Sequence, residues 1–393
     1  MEKIDVIIIG AGAAGLMCAI EAGKRQRRVI VLDHANKPGK KILMSGGGRC
    51  NFTNYNVTPD QFISHNPHFC KSALKRYTQW DFINLVKKHH IPFHEKTLGQ
   101  LFCDNKSKDI LDLLLLECEQ ANAEIRMNTS IEKIEKLSDH HFKIKTNRGD
   151  FHCQSLVIAS GGLSIPTMGA SPFGYKVAEQ FGIAVWPTRA GLVPLTLHNE
   201  DKEKLAELSG ISIDSLVSNE RQCFRENSLF THRGMSGPAI LQMSSYWLAG
   251  EALFINMLPD TDMIELLKLA QRQQPQKLLK TILGELLPKR VIEVFFNPIL
   301  LDTKLASVAH RDFEQIGTQI NHWKLKPNGT EGYRTAEVTL GGVDCDAISS
   351  KTFEALNVTG LYFIGEVLDV SGWLGGYNFQ WAWSSGWAAG QVV

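Results

Sequence analysis

The stretch DVIIIGAGAAGLMCAIEAGK, Asp5 to Lys24, decides the fold. Val6 to Ile9 is a short apolar run suited to a buried strand, and it breaks into Gly10, Gly12 and Gly15 at the spacing GxGxxG before an amphipathic helix. In that motif the first glycine makes the turn and the second lets the backbone approach a pyrophosphate. The third lets helix and strand pack closely, and the helix N-terminus, here with Ala13 and Ala14, faces the phosphate. A second apolar strand, RVIVLD, ends at Asp33, 18 residues beyond Gly15, where an acidic side chain is expected to meet an adenosine ribose hydroxyl, with His34 next to it. Strand, helix, strand and acid fall in one register, which predicts a dinucleotide. The motif alone does not separate FAD from NAD.

Later segments favour FAD. KKILMSGGGRCN places a second glycine cradle just beyond the second strand, so Gly46, Gly47 and Gly48 can bring backbone N–H groups up to a ribityl chain or flavin ring. Lys41, Ser45, Cys50 and Asn51 flank it; Ser45 and Asn51 are expected to tie the loop ends, and Cys50 to be a small neighbour of the cofactor. The stretch from Ala123 to Gly162 alternates like an antiparallel meander, offers backbone near Ile131 to the adenine edge, and returns through Leu156–Ala159 to Ser160, Gly161 and Gly162. Finally, GLYFIGEVLDVSGWLGGYNFQ reads as a strand, then Gly365 and Glu366, a loop with Gly375 and Gly376, and a helix starting near Tyr377 and Asn378. An acid there can hold ribityl hydroxyls, and the helix N-terminus can face the flavin edge that gains negative charge on reduction.

The rest of the composition is ordinary. The 393 residues are 44% hydrophobic and 21% charged with a net charge of +1, which gives no electrostatic case for nucleic acid or anionic membranes as partners. Eight cysteines without a CxxC pair fit a reducing cytosol, so a cytoplasmic protein is expected. The basic and apolar N-terminus resembles a secretory signal, but Asp5 interrupts it and the glycine motif explains it better. No segment reaches the ~18 apolar residues of a membrane span. His89, His90 and His94 lack an obvious carboxylate or cysteine companion, so no metal site is expected.

The motifs GAGAAGLMCA, SGGGRCNFTN, LFTHRGMSGPAILQMS, TAEVTLGGV and IGEVLDVSGWLGGYNFQWAWSSG occur in order, and with them the whole chain resembles the BaiN/YhiN-like family of FAD-containing oxidoreductases. The resemblance implies an α/β, Rossmann-like FAD-binding domain of the glutathione reductase/fumarate reductase type, interrupted by a two-part insertion. It implies FAD at Gly10, Gly12, Gly15, Asp33, Gly46 to Gly48, Gly162, Glu366 and Gly376 to Asn378. Asp33 is one methylene shorter than the glutamate often found there.

The expected FAD-binding domain covers residues 1–190 and 341–393. Residues 191–340 form the insertion, β-rich over 191–260 and 321–340 and helical over 261–320. Between Met257 and Ile316 eight Lys/Arg balance eight Asp/Glu, which argues against an RNA-binding module and for substrate capping or partner docking. In FTHRGMSGPAIL, His232 and Arg233 are candidates for a proton donor and a carbonyl or anion clamp at the flavin; the alternative is a helix-initiating turn before Pro238. The expected function is hydride transfer, from NAD(P)H through flavin, to a small unsaturated carbonyl-type acceptor. A non-enzymatic flavin-binding sensor is the alternative, with RNA modification and disulfide reduction behind it. One dinucleotide fingerprint means that a nicotinamide would bind transiently.

Overall fold

The computed structural model describes residues 3–137 and 141–393, which divide into two compact units: 1–189 with 338–393, and 190–337. In the first unit a parallel sheet runs in the order Glu124–Arg126, Val29–Leu32, Lys3–Ile9, Gly149–Ile158, Leu361–Phe363. Ile9 stands opposite both Leu32 and Ile158, so these strands end level. Val29 to Leu32 and Val6 to Ile8 are buried, which is why they read as unbroken apolar runs rather than alternating ones. Gly149–Ile158 is long enough to do two jobs. Its second half joins the parallel sheet, and its first half pairs antiparallel with Phe142–Thr146, which pairs in turn with Ile131–Lys136.

Helices Ala13–Lys24 and Tyr377–Gly390 cross at very short range. A Cβ on Gly386 would lie 2.4 Å from the Ala14 carbonyl oxygen, so only glycine allows the crossing. Of the C-terminal tryptophans, Trp381 and Trp383 are buried outright, and Trp383 donates its indole N–H to the Phe52 carbonyl at 2.8 Å. That bond fixes the last helix against strand Asn51–Asn54, immediately after the second glycine cradle. The chain leaves and re-enters this unit through Val185–Gly191 and Val338–Val343, which pair with each other.

The second unit carries a seven-stranded sheet in the order Trp323–Leu325, Leu253–Asn256, Ser212–Ser218, Cys223–Thr231, Gly234–Ser236, Leu195–Thr196, Gly329–Thr330, with antiparallel neighbours. Two of its helices begin at a side-chain cap. The Asp262 carboxylate accepts the Ile264 and Glu265 N–H groups ahead of Met263–Gln273, and Asn297 caps Pro298–Leu301 with proline at the first position. Among the described residues no helix is long and apolar enough to cross a membrane.

Candidate functional site

Parallel strands bring their C-terminal ends to one edge, and four of the expected cofactor segments start there: Gly10, Asp33, Ser160 to Gly162, and Gly365–Glu366. The three fingerprint glycines differ sharply. A Cβ on Gly10 would lie 2.3 Å from the Ala159 carbonyl oxygen, and one on Gly15 would lie 1.9 Å from the Gly10 carbonyl oxygen. Both glycines are required by the fold itself. At Gly12, the extended residue capping helix Ala13–Lys24, a Cβ would meet nothing within 4 Å. That open space is what a pyrophosphate needs.

Asp33 is committed to backbone. One carboxylate oxygen accepts the Ala11 N–H and the other the Ala35 N–H, both at 2.8 Å, clamping the glycine turn to the end of the second strand. Each oxygen keeps a further lone pair for a hydroxyl. Exposed His34 adjoins it, and the segment before Ile131 runs alongside: Asn128 donates to the Ala35 carbonyl and Thr129 to the Asp33 carbonyl.

The second cradle is a tight turn over Ser45–Gly48 in which Gly46, Gly47 and Gly48 all have positive φ. Its back is tied down by Ser107, which donates to the Gly48 and Leu43 carbonyls, while Ser45 donates to Ile42 and its carbonyl accepts from the Cys50 N–H. On its open side a Cβ at Gly47 or Gly48 would meet nothing within 4 Å. With its amide turned to satisfy both ends, Asn51 donates to the Thr53 and Leu101 carbonyls and accepts from Gly376 N at 3.3 Å. The C-terminal glycine loop thus closes on this strand; a Cβ at Gly376 would lie 2.3 Å from the Thr53 carbonyl oxygen, and the Gly375 carbonyl accepts from Asn54. The Asn378 amide is spent on its own helix start, bridging Gly372 and Trp373.

Cys50 is fully buried, and burial pushes its thiol up to about 12, so it carries no thiolate at neutral pH. Cys103 is close by: its N–H donates to the Arg49 carbonyl, and its thiol is raised by burial and by Cys50.

Glu366 stands in a polar network that the sequence only partly announced. Lys41 Nζ donates to Glu366 Oε2 at 2.8 Å and to Ser164 Oγ at 2.9 Å. Glu366 Oε1 accepts from Thr339 N and Ser164 Oγ, and Thr339 Oγ1 accepts the Leu163 and Ser164 N–H groups. Gly162 is pressed against it, since a Cβ there would lie 2.6 Å from Thr339 Oγ1. Ser164 and Thr339 were not among the expected site residues; Thr339 lies in the quoted TAEVTLGGV, but nothing in that string shows that it reaches Glu366. Nearby, the Ser160 hydroxyl is buried with no hydrogen-bond partner among the described residues. An orphaned hydroxyl, three open glycines and an anchored carboxylate at one sheet edge fit a large polar cofactor such as FAD.

A further pair also escaped the sequence reading. His65 Nδ1 lies 2.8 Å from the buried Asp369 carboxylate, and its ring stacks on Trp186 at 3.8 Å. His89 and His94 do have carboxylate partners, Glu117 and Asp104, but separate ones.

In the second unit, His232 and Arg233 are not at the helix start. They form the exposed tip of the hairpin between Cys223–Thr231 and Gly234–Ser236, with Thr231 Oγ1 accepting the Arg233 and Gly234 N–H groups. The Arg233 guanidinium lies 3.8 Å from Glu331. Pro238 does open the following helix, Pro238–Ser244.

A family model described as "HI0933-like protein Rossmann domain" matches residues 4–392. The chain is 55% identical to the ribosomal RNA dihydrouridine synthase of Escherichia coli (strain K12), over all of this chain and 98% of that one. It is 51% identical to the protein of the same name from Haemophilus influenzae, over 97% of this chain and 96% of that one. The 3-dehydro-bile acid delta(4,6)-reductase of Clostridium scindens is 27% identical over 98% of both chains. The names of the two relatives above half identity overturn two expectations: a small carbonyl-type acceptor, and no nucleic-acid partner. The physical reason lies in how charge was counted. Phosphate attraction is local, whereas the total of +1 and the neutral stretch 257–316 average over surfaces that need never meet RNA.

Proposed function

The chain belongs to the HI0933-like Rossmann-domain family, and from that premise we propose that it is an FAD-dependent enzyme reducing the C5=C6 bond of a uridine in ribosomal RNA to give dihydrouridine. The observation that carries this reading is the 55% identity to the Escherichia coli enzyme along the entire 393 residues. The uracil C5=C6 bond is conjugated to the C4 carbonyl, so it accepts hydride at C6 and a proton at C5. FAD held in the cradle supplies the hydride when reduced, and NAD(P)H is the proposed transient donor. The cytoplasm, where ribosomal RNA is assembled, is the proposed compartment.

The protein's own part is to bind, orient and protonate. In this reading Gly12 and the N-terminus of helix Ala13–Lys24 receive the pyrophosphate, and Asp33 receives the ribose. Gly46 to Gly48 and the Tyr377 helix start border the flavin ring, and Glu366, held in place by hydrogen bonds from Lys41, Ser164 and Thr339, receives ribityl hydroxyls. A general acid delivers the proton to C5.

Ribosomal RNA from a strain lacking the gene, incubated with the flavin-loaded protein and NADH or NADPH, is expected to gain dihydrouridine, seen as two added hydrogens on one nucleoside by mass spectrometry. Turnover of a small enone with no change in the RNA under either nicotinamide sinks the reading.

A further inference from the structure

Charge along this chain is strongly segregated. Residues 24–96 contain fourteen Lys and Arg against four Asp and Glu, a net of +10 in a chain whose total is +1, so all the rest is acidic on balance. The positive excess therefore sits on the nucleotide-binding unit, around the cradle strand, and not on the insertion.

Within that segment two consecutive helices carry exposed lysines and an exposed aromatic platform. Trp80, at the start of helix Gln79–Lys88, is 52% exposed and stacks on Tyr55 with centroids 5.3 Å apart and planes 25° from parallel. Tyr55 directly follows strand Asn51–Asn54 of the cradle, and its carbonyl accepts the Gln79 side-chain amide at 2.9 Å, which locks the platform to the cradle strand. The preceding helix, Lys71–Arg76, presents exposed Lys71 and Lys75 one turn apart, and Lys87 is exposed at the far end of the Trp80 helix. None of the three makes an ion pair among the described residues. Asp81, the acid beside Trp80, is occupied in capping its own helix through the Thr78 N–H and hydroxyl.

An exposed ring backed by a second ring, flanked by uncompensated ammonium groups, matches single-stranded nucleic acid: bases stack on the indole and phosphates pair with the lysines. We propose that Trp80–Tyr55 together with Lys71, Lys75 and Lys87 is the docking surface for the single-stranded RNA flanking the target uridine. This rests on the RNA-reducing reading above and adds where the RNA is held. A protein partner would not call for three lysines left without counter-charges; a polyanion does.

The test measures binding of a fluorescein-labelled oligouridylate to the FAD-loaded protein by anisotropy across a salt series, alongside dihydrouridine formation on ribosomal RNA. Trp80→Ala is expected to weaken binding about tenfold, with Trp80→Phe recovering most of it. Reversing Lys71, Lys75 and Lys87 to Glu is expected to flatten the slope of log affinity against log salt by about 2. The same reversal at Lys277, Lys280 and Lys289 of the insertion is expected to change neither. Flavin content and thermal midpoint of every variant report folding. If wild type and the platform variants bind alike while RNA is still reduced, the surface is wrong and the function stands. If wild type neither binds nor reduces RNA, both fail.

Discussion

Gly12→Val is expected to yield a folded protein that has lost its flavin, whereas Gly15→Val yields no folded protein at all. The two glycines are three residues apart in one motif, yet they face opposite directions. A Cβ on Gly12 meets nothing within 4 Å, so valine there strains no protein contact and fills only the space proposed for the pyrophosphate. A Cβ on Gly15 would lie 1.9 Å from the Gly10 carbonyl oxygen, an overlap that no rotamer relieves. Flavin absorbance per protein should fall at least about tenfold in G12V, ~1.4 kcal/mol of cofactor binding, while far-ultraviolet circular dichroism and the thermal midpoint match those of wild-type apoprotein. Gly15→Val should be insoluble, its overpacking exceeding about 3 kcal/mol. Full flavin content in G12V would remove the assignment of this turn to the pyrophosphate.

The second large effect concerns a residue far from any expected site. Glu117, in helix Lys108–Gln120, is 1% exposed and receives Lys88 Nζ at 2.7 Å and His89 Nε2 at 2.8 Å, with Lys24 Nζ at 3.3 Å. Burial alone would push its carboxyl up, but these three donors outweigh it and hold it down at about 2. A depressed carboxylate stabilises the fold fully above its unfolded range near 4.5, and that contribution drains away as pH falls toward 2. Glu117→Gln should cost about 2–3 kcal/mol at pH 7, the low end for a broken buried ion pair because Lys24 and Lys88 can turn to water. Calorimetry should show a midpoint about 5–10 °C lower at neutral pH. The gap between E117Q and wild type should narrow steadily below pH 4; a gap independent of pH would show that Glu117 does not act through its charge.

Much of the cofactor-binding unit was readable because its signals are local. Strand, turn and helix from Asp5 to Lys24 are set by hydrophobic period and glycine spacing over twenty consecutive residues. The 3₁₀ cradle at Ser45–Gly48 was legible for the same reason: three glycines in a row have few other uses in a folded chain. The proximity of Cys50 to Cys103 was not legible, because sheet register between Asn51–Asn54 and Gln100–Cys103 selects that neighbour and sequence distance does not. Thr339, Ser164 and Lys41 meet on Glu366 from segments up to 325 residues apart in the chain. Charge follows the same rule: the net charge of the whole chain and of one helical stretch hides a basic excess that occupies a segment marked otherwise by its glycines.

By itself the sequence determined the dinucleotide fingerprint, the second cradle and the C-terminal glycine loop, because each is a short run whose backbone geometry depends on its own residues. Tertiary structure alone decided which glycines stand open and which are locked in contact. It also decided which carboxylates are spent on the scaffold, as Asp33 and Glu117 are, and which lysines remain unpaired around Trp80. Those outcomes depend on what packs against a residue from elsewhere in the chain, and a carboxylate or an ammonium carries no mark in sequence of the partner that will neutralise it.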